Sequence, residues 1–448
     1  MLKICSKIEK KIYKILLCDK IPTLVYLYTY MITFGFVYIF VISQYFSYVG
    51  YVLKIDFAKI VITFLVSLLL FLDTQKLLKK EEFSSTVLVL LDIGYAVPMM
   101  ILYEFGGMQH LCFLFFIIYW FFLHIGVNLF FKIKSCRYIC IKEKKFGLLV
   151  GIVVLLGIGI YISYKYNSFH TYLSLDNVYQ IRAAYKEKEV SVLFGYIYSI
   201  LSSVIPVCIT ICLCHKKYVL ALVFSYIQIN LYSIAAIKKY LLFLFLAWVI
   251  YYIFLENKNR YFILPCLSIM NVLAIMEYEL FSGMPQIANY LQRRTFLLPV
   301  RLYTYYFDFF STHIPDYFQQ SFLRHFGFQS LYKMPIANII GGIYEYEKSY
   351  ETTASNGLCG DAIANLGWLA VLIYPLVLSF ILNIFNYITE EINCSIKMIV
   401  GVIFFVFLTN GSLFSNLLSN GFGMIWVTLW IYSKAYKKNR TRIMDCNR

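Results

Sequence analysis

The sequence predicts an all-α, polytopic integral membrane protein of about twelve transmembrane helices, with one large extracytoplasmic loop containing short helices. Three observations predict this. Of 448 residues, 61% are hydrophobic and only 14% charged, against about 25% charged in a soluble domain. Mean hydropathy is +0.71. Apolar stretches near the ~20 residues a helix needs to cross the hydrocarbon recur along the whole chain. A water-soluble fold could not hide so much apolar surface, which excludes soluble enzymes, nucleic-acid binders and secreted disulfide scaffolds.

The elements follow in order. Residues 1–20 place Ile4, Ile8, Ile12 and Leu16 on one helical face with five lysines largely elsewhere. That reads as a basic amphipathic segment on an anionic cytoplasmic leaflet, not a cleavable leader. Spans are predicted at 21–48, 57–72, 85–103, 111–131, 146–164, 193–214, 218–237, 240–255, 261–280, 367–387, 398–412 and 420–436. They group as 21–164 (helices one to five), 165–280 (an outside loop and helices six to nine), the large loop 281–366, and 367–436 (helices ten to twelve). A basic tail, 437–448, closes the chain. With the N-terminus inside, 26 of the 40 Lys and Arg fall on the inner side and 14 on the outer. The positive-inside bias puts both termini in the cytoplasm and makes the number of spans even.

The loop 281–366 is rich in Tyr and Phe, so it should fold rather than stay disordered. Pro299 is placed to open a helix whose Leu302, Tyr305, Tyr306, Phe309 and Phe310 form a broad apolar face. Twelve cysteines are scattered, with only Cys359 in an outside loop, so no disulfide framework is implied.

The outer cations carry the chemistry. Arg182, Arg293, Arg294, Arg301 and Arg324 lie where positive charge is disfavoured, and arginine forks match phosphate oxygens bidentately. Arg293, Arg294 and Arg301 lie close together in sequence, which favours a lipid-diphosphate site over solvated loop charge. Lys238 and Lys239 form a turn between two spans, where a lysine either snorkels or contacts an anion. Asn356, Asp361 and Asn365 sit in a glycine-rich run entering the tenth span. Helical spacing puts Asp361 and Asn365 on one face, suited to binding sugar hydroxyls, orienting an arginine or capping the helix. Asp308, seven residues after Arg301, shares its face, and a salt bridge is the plain reading. No GxxxxGK[ST], HExxH or GxSxG occurs, and the six histidines are scattered.

The second half of the chain resembles the Wzy-type O-antigen polymerases, or oligosaccharide repeat unit polymerases. The matching features run in order from about residue 176 to 432. They are Arg182, Pro206 in the following span, Lys238 at a span entry, Arg293-Arg294-Thr295 with Pro299, and the Tyr305–Phe310 stretch. Ile340-Gly341-Gly342, the run Asn356–Gly367, Asn410-Gly411-Ser412 and Ser419-Asn420-Gly421 complete the set. The chain departs from the family at Ala236-Ile237, where Gly-His is common, and at Asn420-Gly421, where Thr-Gly is common.

The resemblance implies a metal-independent glycosyltransferase of the bacterial cytoplasmic (inner) membrane, serving O-antigen, capsule or exopolysaccharide synthesis. It would take an undecaprenyl-diphosphate-linked oligosaccharide in the lipid bilayer and join repeat units at the outer face, releasing polyprenyl diphosphate. It needs no cofactor and no nucleic acid, and a chain-length regulator is the further partner class to consider. Arg301 and Asp361 become the catalytic candidates. Arg182, Lys238, Arg293, Arg294, Asn356 and Asn365 become substrate-binding candidates. An O-antigen ligase-type transferase and a lipid-linked oligosaccharide flippase are the alternatives. The long outside loop and the lack of visible repeats argue against the flippase.

Overall fold

The computed structural model describes residues 23–130, 145–167, 181, 185, 191–254, 260–281, 283–344 and 349–445. The basic segment 1–20 and Arg182 lie outside the described residues. Among those described, the regular structure is helical. We label α1 (Thr23–Tyr45), α2 (Phe57–Lys79), α3 (Phe83–Phe105) and α4 (His110–Asn128). Next come α5 (Lys145–Asn167), α6 (Val192–Cys214), α7 (Tyr218–Ala235), α8 (Lys238–Phe254) and α9 (Ile263–Leu280). The large loop holds α10 (Leu298–Phe310) and α11 (Ile336–Tyr344), and α12 (Leu358–Leu366) leads out of it. The chain then continues through α13 (Ala370–Thr389), α14 (Cys394–Asn410), α15 (Leu413–Leu418) and α16 (Phe422–Asp445).

Each of the twelve segments read from hydropathy is largely helical over its described residues, and eight stretches of those residues are long and apolar enough to cross a membrane. The eighth joins α12 to α13 as one stretch, Leu358–Thr389. The second segment, read as ending at 72, continues to Lys79. Its C-terminal Lys76 and Lys79 suit the negative end of the helix dipole, and Asp56 caps its start by accepting from the Ala58 and Lys59 amides.

The helices pack as one bundle. α6 contacts α7, α8, α14 and α16, while α13 contacts α3, α4 and α16. α3 is the most enclosed candidate span, with 94% of its apolar window buried. Close approach is built in by small residues. A Cβ at Gly94 would meet the Phe405 ring at 2.4 Å, and one at Gly126 would meet Ser379 Oγ at 2.4 Å. Such small-residue contacts replace the hydrophobic drive that lipid does not supply.

The large loop folds onto one end of this bundle. Glu277, in the last turn of α9, accepts from the amides of Gln286 and Ile287 at 2.9 and 2.8 Å. It thereby fixes the start of a wide-turned helical segment, Ala288–Leu297, which runs directly into α10. Pro299 sits in the first turn of α10, as its fixed φ favours. Leu302, Tyr306, Phe309 and Phe310 are buried. Tyr303 reaches across to α4, donating to the Cys112 carbonyl at 2.8 Å.

Candidate functional site

Four of the cations that sequence reading singled out, Lys238, Arg293, Arg294 and Arg301, converge at this end of the bundle. The Arg301 guanidinium lies 4.6 Å over the Tyr51 ring and 5.3 Å from that of Tyr305. Its Nε donates to the Tyr305 hydroxyl. Arg293 lies 4.6 Å over Phe46 and donates through Nε and Nη2 to Asn289 Oδ1 at 2.9 and 2.7 Å. Burial, and the neighbouring charges of Arg294 and Arg301, hold the Arg293 guanidinium below its ordinary value. The phenol of Tyr51 is fully buried and pushed up to about 12 by that burial, with Arg301 and Arg293 pulling the other way. Tyr51 is therefore a neutral ring beneath the Arg301 guanidinium, a favourable cation–π arrangement, with the charge of Arg293 nearby.

Lys238 and Arg294 extend the cluster. Lys238 Nζ donates to the Tyr290 hydroxyl at 3.2 Å and lies 4.9 Å from its ring. Arg294 faces the same ring at 5.8 Å. The cationic strip thus joins the α7–α8 turn, the Ala288–Leu297 segment and α10. Lys239, its chain neighbour, faces Phe407 at 4.3 Å.

Beside Arg301 is a cavity of about 290 Å³. Gly50, Gln109, Arg301, Tyr305, Asp308 and Tyr344 are on its wall. Gly50 matters because it has φ +90°, and a Cβ there would lie 2.8 Å from an Arg301 terminal nitrogen. Only glycine meets both demands without strain. Tyr305 and Tyr344 stack, with centroids 5.0 Å apart and planes 14° from parallel. The Tyr344 hydroxyl donates to Asp308 Oδ2 at 2.6 Å. Arg301 and Asp308, two turns apart on α10, both line this cavity, but the expected salt bridge between them does not form: Arg301 turns to Tyr51 and Tyr305, and Asp308 takes Tyr344 as its partner.

Asp361, Asn356 and Asn365 lie elsewhere. Asn365 donates to Asp361 Oδ1 at 2.9 Å, so the expected pairing along α12 is present. The other Asp361 oxygen accepts from the Tyr374 hydroxyl on α13 and from the Leu413 amide at the start of α15, the latter at 2.9 Å. Asp361 is thus a buried fastener of three elements and is not on the wall of the arginine cavity. Asn365 also accepts from the Phe318 amide at 3.0 Å. Asn356 donates to the Pro299 carbonyl at 2.6 Å, tying the start of α10 to the entry of α12. The physical reason is steric. The backbone at Gly357 runs so close to the end of α14 that a Cβ would fall 1.8 Å from the Leu408 carbonyl oxygen. This run is packed into the protein.

Sequence reading missed Tyr51 and Tyr344, because single aromatics do not stand out in a chain that is 19% aromatic, and Gln109, a lone neutral side chain in a short connection. Gly50 alone carried a signal, as a glycine in a connection between spans. It also missed three ionisable residues within or at the end of spans, Asp73, Asp92 and His124. Charge at membrane depth was the signal that could have found them. No family model, curated protein or solved structure matches this chain.

Proposed function

We propose that this chain is a Wzy-type polysaccharide polymerase of a bacterial cytoplasmic membrane, with twelve spans, both termini inside and the 281–366 loop outside. One observation carries the reading. Lys238 joins Arg293, Arg294 and Arg301 at one end of an apolar helical bundle, where Arg301 lines a cavity of mixed polar and apolar walls. This is the charge pattern a lipid diphosphate at the membrane surface requires.

In the proposed reaction, a hydroxyl at the non-reducing end of the incoming repeat unit attacks the anomeric carbon of the growing chain. The new glycosidic C–O bond forms as the bond from that carbon to the diphosphate oxygen breaks, and polyprenyl diphosphate leaves. Negative charge builds on the leaving oxygens. Arg301 and Arg293 stabilise it more in the transition state than in the ground state, while Lys238 and Arg294 hold the second phosphate. The acceptor proton needs a base. Asp308 suits this better than Asp361, because it shares a cavity wall with Arg301 while Asp361 is enclosed by its own donors. Stacked Tyr305 and Tyr344 offer ring faces to sugar.

The test is deletion of the gene followed by electrophoresis of surface glycolipid and polysaccharide. Loss of the long ladder with a single capped repeat retained is expected. Loss of every repeat, including the single one, would overturn the polymerase reading in favour of a flippase or ligase.

A further inference from the structure

A second polar cluster lies inside the bundle, away from the arginine cavity. His124 on α4 bridges two carboxylates, with Nδ1 2.7 Å from Asp73 Oδ2 on α2 and Nε2 3.0 Å from Asp92 Oδ1 on α3. Asp92 is completed by Trp120 Nε1 and Thr74 Oγ1, each donating at 2.8 Å. Asp73 also accepts from Asn128 Nδ2 at 3.3 Å, and Lys80 donates to Asn128 Oδ1 at 2.8 Å. Asp92 opens a wide-turned segment, Asp92–Ala96, within α3, a distortion common at functional positions in helices.

Counting protons decides what this cluster is. A neutral imidazole carries one N–H, so one ring nitrogen donates and the other accepts. An ionised carboxylate only accepts. With neutral His124 and two ionised aspartates, one of the two close contacts would set a nitrogen lone pair against a carboxylate oxygen. Two good contacts require one more proton, carried by the imidazole or by one carboxyl. Either way the three groups together bear a charge of −1 instead of −2.

We propose that Asp73, His124 and Asp92 form a proton-binding site within the helix bundle, holding one exchangeable proton that joins α2, α3 and α4. The inference is independent of the polymerase reading. The site has an entrance and an interior. The Asp73 side chain is 32% exposed and that of Asp92 only 1%, so protons enter and leave through Asp73. α2 and the turn after it bring Lys76 and Lys80 within electrostatic reach of Asp73. From α1, Tyr30 donates to the Ile93 carbonyl at 3.1 Å, next to Asp92. α13 brings Ser379 against Gly126 on the neighbouring turn of α4. Loss of the proton would turn one attractive contact into a repulsive one and release α4 from α2 or α3.

The test uses the full chain in lipid nanodiscs, with nitrogen-15-labelled histidine observed by solid-state NMR at neutral pH. His124→Gln assigns the His124 resonances. Infrared difference spectra against Asp73→Asn and Asp92→Asn report any protonated carboxyl. The expected result is either a doubly protonated His124 ring, or a neutral ring together with a carboxylic acid band that one of the aspartate variants removes. In Asp73→Asn the amide can donate or accept, so the extra proton is no longer required and the doubly protonated signal or the acid band should be lost. A neutral His124 ring with no assignable carboxylic acid in the wild-type protein would overturn the proposal. So would an Asp73→Asn spectrum unchanged from wild type. If Asp92→Asn fails to fold, the wild-type and Asp73→Asn samples decide alone.

Discussion

Arg301 is the residue on which the proposed chemistry turns. It is held by ring faces and a hydroxyl, in contact with a cavity large enough for part of a sugar. Arg301→Ala should abolish chain extension while the protein still inserts. A loss of about 2–4 kcal/mol of transition-state stabilisation is expected, as for one oxyanion donor. Arg301→Lys should recover only part of it, since an ammonium has no planar fork. Chain length on a gel, with membrane abundance as control, checks both. Gly50→Ala tests the support of that arginine. Its Cβ would collide with the guanidinium at a backbone angle costing an L-residue about 1–2 kcal/mol. Its effect should resemble Arg301→Ala, with insertion retained.

At the scale of elements, α12 is fastened by Asp361. Asp361→Ala would leave the Tyr374 hydroxyl without its acceptor, at about 1–3 kcal/mol for a buried orphan, and the Leu413 amide with only its longer 3.3 Å bond to that hydroxyl. The prediction is a clear fall in the thermal unfolding midpoint in detergent. Asp308→Ala should leave that midpoint near wild type and instead reduce turnover, because Asp308 is exposed on the cavity side of α10. An inactive but stable Asp361→Ala protein would move the role of general base from Asp308 to Asp361. The legibility of the sequence differs sharply between such elements. The apolar runs and Pro299 announced the helices, because burial in lipid and a fixed proline φ act locally. Lys238 and the three arginines were legible as charges in segments that the charge bias assigns to the outer side. Their grouping around Tyr51 and Tyr290 was not, because contacts between residues far apart in the chain leave no local pattern. The surroundings of Asp361 were illegible for a related reason. Its spacing from Asn365 was correct, but nothing local told that Tyr374 and Leu413 would occupy its other oxygen.

For the whole molecule, the connections at 46–56, 106–109 and 236–238 and the segment 283–344 meet around the arginine site. The Asp73–His124–Asp92 cluster lies deeper in the bundle, toward the turn that holds Lys80. Reporter fusions should therefore place positions 50, 108, 237 and 320 on one side of the membrane and position 81 on the other. The charge bias predicts the first group to be outside. The proposed reaction comes down to a single event at the arginine cluster, bond formation between lipid-linked repeat units. Purified protein in liposomes, supplied with polyprenyl-diphosphate-linked repeat unit and followed by electrophoresis of the product, measures it directly. Wild type should give a ladder of extended chains, and Arg301→Ala none at equal protein. Unextended units with wild type, or an equal ladder from Arg301→Ala, would contradict it.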